Sequence, residues 1–412
     1  MPKAALVCVG SELLAGQVNT HQAWLSVRLR RAGFDVVGES SVPDEVPAIR
    51  RALARALAAA DAVIVCGGLG PTFDDLTREA AAAALGRRMS LRPALWKAIL
   101  QRFARYHLAV PEENKRQAHV IAGAKVLANR AGSAPGQLLR ARGRTLVLLP
   151  GPPCEMYPMF EGQVLGRLKK THARGLHPAS FSVRLSGVPE SAADEMLEPV
   201  RARWPQARFT ILASGGEVSF HALTVESSDL AARRVRARLR REILDAVSDF
   251  AHGEGEETLE HALGERLRRR GLTLAVAESC TGGLLGGRLT AVPGSSTYFL
   301  GGVIAYANAL KVRSLGVPSR LLSRHGAVSA ECAAAMARGA RRELGASLGV
   351  AVTGIAGPQG GTAEKPVGTV FVAVSGPGRA ETVRRLDVIG PRENVRSRAV
   401  TSALRLAYDA LA

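Results

Sequence analysis

The chain has 412 residues, too many for one ordinary domain, and its composition (47% hydrophobic, 22% charged) is that of a globular protein able to bury two or three cores. A net charge of +19 raises nucleic-acid binding, but only eight of the 55 basic residues are lysines; the other 47, all arginine, read as the habit of a GC-rich genome rather than a basic groove. Five scattered cysteines without CxxC spacing argue against a disulfide framework or a zinc site, and no apolar run reaches the roughly 18 residues of a bilayer span, so a cytoplasmic protein with no membrane partner is expected.

In chain order, the opening "MPKAALVCVG" reads as a strand rather than a signal peptide. Residues 4–9, 35–39 and 61–67 are short apolar runs predicted as strands, with helical stretches at 22–32 and 46–59 between them. That alternation predicts an α/β domain with a largely parallel sheet. "RTLVLLPGPP" (144–153) predicts a further strand stopping in a rigid turn, and a helix over 154–168 closes the domain. "THARGLHPAS" (171–180) reads as a linker. A small α+β unit follows, with a strand at 180–186, a helix at 189–202, strands at 207–213 and 217–225, and an Arg-rich helix at 229–249. "AHGEGEET" (251–258) reads as a second linker. The last domain is α/β, with strands at 272–277, 300–307, 348–353 and 368–375 and helices at 257–270, 328–344 and 391–411. The reading gives three domains, 1–170, 178–250 and 255–412.

Two loops of the first domain carry candidate chemistry. "GSELLAGQVNT" (10–20) offers Glu12 and Asn19 after the first strand; "CGGLGPTFDDLTREA" (66–80) offers Gly67, Gly68, Gly70, Thr72, Asp74 and Asp75 after the third. Ligands of open α/β sheets bind beyond the carboxyl ends of the strands, and glycines there let backbone amides approach a phosphate. A carboxylate beside that phosphate would need a cation between them, so Asp75 with Asp44 or Glu12 could hold a hard metal. The loop is neither a Walker A nor GxGxxG, and Asp or Thr before a helix is commonly an N-cap. Together "GSELLAGQVNT", "VPDEV" (42–46), "GGLGPTFDDLT", "ENKRQA" (113–118) and "LPGPPCEM" (149–156) resemble the N-terminal domain of the CinA family, which is similar to molybdopterin-binding domains. The resemblance implies a doubly wound, molybdopterin-binding-like sheet and a divalent-metal-dependent ADP-ribose pyrophosphatase. Asp44 and Asp75 match the family's functional acids, Glu155 lies in its third motif, and Thr72 with the glycines matches the phosphate-facing loop. His21 stands where that pattern usually has asparagine.

In the last domain "LAVAESCTGGLLGG" (274–287) sets three nucleophile types side by side, Ser279, Cys280 and Thr281. No histidine is near in sequence; His325 is the main distant one. Between residue 255 and the end, lysine occurs only at 311 and 365. Arginine would serve for charge alone but does not give up its proton, whereas a desolvated lysine can act as a base. A lone lysine is more often a surface charge, yet Tyr306 lies five positions before Lys311, and both would stand at the same strand ends as Ser279. Amides of Thr281, Gly282 and Gly283 could hold an oxyanion. "TGIAGPQGGTAEKPVGT" (353–369) is a second Gly-rich loop with Lys365 and Thr369, and Arg392 could grip a phosphate.

"AESCTGG", "GGVIAYANALK" and "TGIAGPQGGTAEKPVGTVF" resemble the C-terminal CinA domain, the nicotinamide mononucleotide deamidases. The resemblance implies a Ser/Lys amidohydrolase needing no cofactor, with Ser279 as nucleophile, Lys311 as base and Tyr306 assisting. Thr353, Gly354, Gly357, Lys365 and Thr369 fall in the third of these motifs, a loop suited to phosphate or ribose contacts, and Arg392 lies outside them at a helix start. Cys280 would face the other side of an extended segment and serve packing. The middle unit resembles a KH-type domain, but "SGGE" (214–217) is not the GXXG that a KH nucleic-acid site wants, so a structural or dimer-forming role is expected and no nucleic-acid partner. The expectation is a homodimeric pyridine-nucleotide-recycling hydrolase acting on nicotinamide mononucleotide and ADP-ribose. Its rivals are a molybdopterin-processing enzyme and a DNA-uptake or repair accessory.

Overall fold

Ala62–Cys66, "AVIVC", has no polar side chain to turn toward water, and it forms a strand buried on both faces. Val63 and Val65 join one apolar cluster with Ile49 and Leu53, while Ile64 and Cys66 join another with Leu25, Leu29 and Phe160. Residues 1–105, 107–141, 143–376 and 381–411 are described by a computed structural model, and they divide into two units: 1–179 with 224–234, and 180–223 with 235–412. Among these residues no helix is long and apolar enough to cross a membrane.

In the first unit the six-stranded sheet runs in the order Asp35–Val42, Lys3–Val9, Ala62–Cys66, Arg144–Leu149, Gly136–Ala141, Lys125–Leu127. The first four strands are parallel and the last two join antiparallel. Helices Val46–Ala59 and Thr77–Leu85 cover one face, and Thr20–Arg31 with the helical stretch from Pro153 covers the other. Asn19 caps Thr20–Arg31 by accepting the amides of His21 (3.2 Å) and Gln22 (3.4 Å). The chain leaves Lys3–Val9 first to one side and then returns to the other, which brings the loops after Lys3–Val9 and Ala62–Cys66 together at the switch point.

The second unit holds a five-stranded sheet in the order Phe299–Ile304, Leu274–Glu278, Leu348–Gly354, Thr369–Ser375, Thr382–Asp387. The first three strands are parallel, the last two antiparallel. Helices Leu259–Arg270 and Arg392–Asp409 pack on Val276, Val350, Val352 and Val372. The opposite face is alanine on alanine: Ala275, Ala277, Ala351 and Ala373 against Ala333, Ala337 and Ala340 of Ala330–Glu343. That closeness leaves no room for side chains at Gly349, where a Cβ would lie 2.0 Å from the Ala337 carbonyl. Thr382–Asp387, "TVRRLD", escapes sequence reading because as an edge strand it carries mostly exposed polar residues.

A second sheet of four strands runs Arg208–Ser214, Glu217–Glu226, His177–Ser186, Ala251–Glu254, with helices Glu190–Arg203 and Asp229–Val247 closing a core around Leu197, Phe220, Leu239 and Ile243. Both segments read as linkers are largely ordered elements. Helix Gly166–His172 and strand His177–Ser186 leave four residues between them, and Ala251–Glu254 pairs antiparallel with that strand. Edge pairing uses main-chain groups, so polar and glycine-bearing sequence does not prevent it.

The hairpin Arg208–Ser214/Glu217–Glu226 turns through Gly215 and Gly216, with φ of 60° and 88°. Its tip rests on helix Arg392–Asp409, where Thr401 Oγ1 donates to the Gly215 carbonyl (2.7 Å). Arg288 then reaches three partners: Thr401 Oγ1 at 2.9 Å, Glu217 at 2.7 Å, and Glu260. Burial alone would raise the Glu217 carboxyl, but the His252 ring, its Nε2 3.5 Å away, and the Arg288 hydrogen bond outweigh it and hold the group at about 2. Glu217→Ala is expected to destabilise this unit by about 1.5 kcal/mol in chemical denaturation, because it removes one of the two carboxylates that hold the Arg288 guanidinium. Since the folded carboxyl lies below its ordinary 4.5, its contribution is present above that value and fades as pH falls toward 2. The stability gap between wild type and Glu217→Gln should shrink over that window; a constant gap would contradict the network.

Candidate active site

"LAVAE" is an apolar strand that ends on a charge, and Glu278 is 1% exposed. Its Oε2 accepts the amides of Gly283 (2.9 Å) and Leu285 (3.1 Å), and its Oε1 accepts that of Gly286 (2.8 Å). The chain can fold back so tightly because Gly282 and Gly283 take φ of 59° and 98°. Ser279 stands at the corner, its amide donating to the Val352 carbonyl (3.0 Å) and its carbonyl accepting from Gly282 (3.1 Å). Cys280 packs into the apolar cluster with Val276 and Val352, and burial pushes its thiol up to about 11, far from a thiolate nucleophile.

Lys311, on helix Asn308–Leu315, is also 1% exposed. Its Nζ lies 2.8 Å from the Ala305 carbonyl, 3.1 Å from the Tyr306 carbonyl and 3.2 Å from Ser279 Oγ. Burial lowers this amine from the ordinary 10.5 by disfavouring the ammonium. A neutral amine has two N–H groups and one lone pair. With both carbonyls taking the hydrogens, the lone pair is left to accept the Ser279 hydroxyl proton. The structure therefore brings together a hydroxyl and a buried amine whose ammonium form burial disfavours. His325 is not part of it: Nδ1 pairs with Glu331 at 3.3 Å.

The other residues expected here separate into groups. Tyr306 does not bring its phenol to Lys311. Ala305 faces inward and Tyr306 outward, 60% exposed, with its hydroxyl 3.4 Å from Arg392 Nη2; its carbonyl is what meets the amine. Gly282 and Gly283 cannot lend their amides to an oxyanion, because Ser279 and Glu278 already accept them. Thr281 is fully buried, its Oγ1 without a partner among the described residues, and its amide donates to none of them. Thr353 Oγ1 donates to Ala327 (2.8 Å), and buried Thr369 lies 3.4 Å from Asp387. Gly354 and Gly357 are needed for close packing, with a Cβ falling 2.7 Å from Val370 and 2.5 Å from Val367. Lys365 Nζ donates to the His325 carbonyl (3.1 Å), and Arg392 Nη1 donates to that of Gly357 (2.7 Å). Two functional candidates escaped the sequence reading. Arg396, four residues after Arg392, donates to the Thr281 carbonyl (2.7 Å). Glu278 was visible as a lone carboxylate closing an apolar run.

In the N-terminal unit the Gly-rich loop is closed on itself. Asp75 Oδ1 accepts the Gly70 amide (2.7 Å), and Oδ2 accepts the amide (2.9 Å) and hydroxyl (2.5 Å) of Thr72. Gly67 and Gly68 are demanded by packing, since Cβ atoms there would fall 2.1 Å from the Val9 carbonyl and 2.3 Å from Thr77 Oγ1. Asp44 accepts the Ser11 amide (2.7 Å), Glu155 accepts Asn129 (2.6 Å), Glu12 is exposed, and Asn19 is the helix cap. His21 Nε2 meets the Gly151 carbonyl. Among the described residues no three His, Cys, Asp or Glu side chains gather as a metal site, so Asp44, Asp75 and Glu155 do not form a ready donor set for a divalent ion.

Residues 256–411 match the family model described as CinA C-terminal domain, and residues 5–170 the model described as probable molybdopterin binding domain. A CinA-like protein of Anaeromyxobacter dehalogenans is 42% identical over 98% of this chain and 99% of its own. One of Koribacter versatilis is 40% identical over 95% and 96%. The crystal structure of competence/damage inducible protein CihA from Agrobacterium tumefaciens, 40% identical, aligns with 38% of this chain and 94% of its own at a TM-score of 0.37.

Asp75→Ala is expected to lower the stability of the N-terminal unit by about 1 kcal/mol and to speed hydrogen exchange at Gly70 and Thr72. Unchanged exchange at both amides would show that the carboxylate does not hold the loop.

Proposed function

The chain belongs to the CinA family, and from that premise we propose that its C-terminal half is a Ser/Lys amidohydrolase that deamidates nicotinamide mononucleotide to nicotinate mononucleotide and ammonia. The observation that carries the reading is the buried contact of 3.2 Å between Lys311 Nζ and Ser279 Oγ, with two carbonyls fixing the amine.

Ser279 Oγ attacks the carboxamide carbon while its proton passes to neutral Lys311. The carbonyl oxygen becomes an oxyanion, for which the Thr281 amide remains as a donor once those of Gly282 and Gly283 are discounted. As the intermediate collapses, the C–N bond breaks and Lys311 returns the proton to the leaving nitrogen, which departs as ammonia. Water then attacks the acyl-enzyme, gives one proton to Lys311, and Ser279 recovers its own from that amine. Arg392 and Arg396, one helical turn apart, supply positive charge suited to the nucleotide phosphate. None of these steps calls for a metal. For the N-terminal half we propose nucleotide binding at its switch-point loops. The pyrophosphatase chemistry implied by resemblance has no gathered metal ligands to run through among the described residues.

Ammonia release from nicotinamide mononucleotide in EDTA is expected from wild type and Cys280→Ala. Folded Ser279→Ala, Lys311→Ala and Lys311→Arg should lose at least about 1,000-fold in kcat. Because the base must be neutral, kcat/KM should rise with pH through an apparent pKa below the ordinary lysine value of 10.5. Full activity of Lys311→Arg would sink the assignment.

A further inference from the structure

Resting on the Ser279–Lys311 reading, we infer that Glu278 is the positioning residue that sets the nucleophile and the base in register. One residue serves both members of the pair. Its side chain accepts three amides of the turn that carries Ser279, those of Gly283, Leu285 and Gly286, at 2.8 to 3.1 Å. Its own carbonyl accepts the Ala305 amide at 2.7 Å, and the Ala305 carbonyl in turn accepts Lys311 Nζ at 2.8 Å. The path from serine to lysine outside their direct contact therefore runs Ser279–Glu278–Ala305–Lys311, through one covalent link and two hydrogen bonds.

The chemistry asks for a carboxylate here. Three converging N–H donors need an acceptor-only group, which an ionised carboxylate is and an amide is not. Glutamine would turn an NH2 toward at least one of those donors. Aspartate, one methylene shorter, cannot span from Gly283 to Gly286.

The test uses the full chain and two independent readouts. A fluorophosphonate probe reports Ser279 reactivity whatever the natural substrate is, and steady-state ammonia release gives kcat and KM. Glu278→Gln is expected to slow labelling of Ser279 and to lower kcat by about 100-fold, as a misplacement of roughly 1 Å would, with KM within about threefold of wild type. Glu278→Asp should fall between. Hydrogen exchange in the wild type should protect the Gly283, Leu285 and Gly286 amides, and Glu278→Gln should release them. Labelling and turnover of Glu278→Gln within threefold of wild type would overturn the inference, as would unprotected amides in the wild type, which bears on it even if the variants fail to fold. A wild type that is labelled but releases no ammonia refutes the substrate assignment while the labelling comparison still decides the role of Glu278. A wild type that is never labelled removes both.

Discussion

Taking the Lys311 ammonium out of water costs several kcal/mol, and the two carbonyls of Ala305 and Tyr306 return only part of it. The neutral amine loses far less on burial, so the packing of this domain shifts the Lys311 equilibrium toward the neutral form. Much of the surrounding architecture follows from keeping the amine there. The edge strand Phe299–Ile304 has to end where its next two carbonyls can turn inward, and helix Asn308–Leu315 has to begin within one turn of them. Leu274–Glu278 has to lie beside that strand so that Ser279 is within reach.

How far this was legible depends on whether a residue announces itself by its side chain. Lysine retained in an arginine-dominated chain marked Lys311, and the small-residue run after an apolar strand marked Ser279. Buried strands such as "AVIVC" were readable because every side chain faces a core. What sequence reading missed was carried by the main chain or by long-range closure. Ala305 acts through its carbonyl, which no side-chain pattern reveals. Tyr306 was placed on the right loop with the wrong group inward, since alternation along a strand fixes direction only once the register is known. Thr382–Asp387 lacked any apolar run to betray it.

The two halves share one physical device. In each, a Gly-rich loop beyond a parallel strand gathers backbone amides of the kind that bind anions, and in each a carboxylate of the chain itself takes some of them: Asp75 in one, Glu278 in the other. Glycine content told where backbone donors collect, but not whether they are spare. The difference lies in burial. Glu278 is sealed in the interior, whereas Thr72 is exposed and Asp75 half-buried, within reach of solvent.

The Gly215-Gly216 hairpin tip bears on how the middle module relates to the domain beside it. Arg405, 7% exposed, donates to the Phe250 carbonyl (2.8 Å), Thr401 donates to Gly215, and Arg288 divides itself between Glu217 and Glu260. These donors belong to the C-terminal domain, and several of their acceptors lie before residue 255. A gene cut at that point would encode a C-terminal domain with a wet, arginine-lined scar where a neighbour used to be. The module boundary that looks natural along the chain is thus crossed by buried polar contacts, and a C-terminal domain standing alone needs other partners, or water, for those arginines.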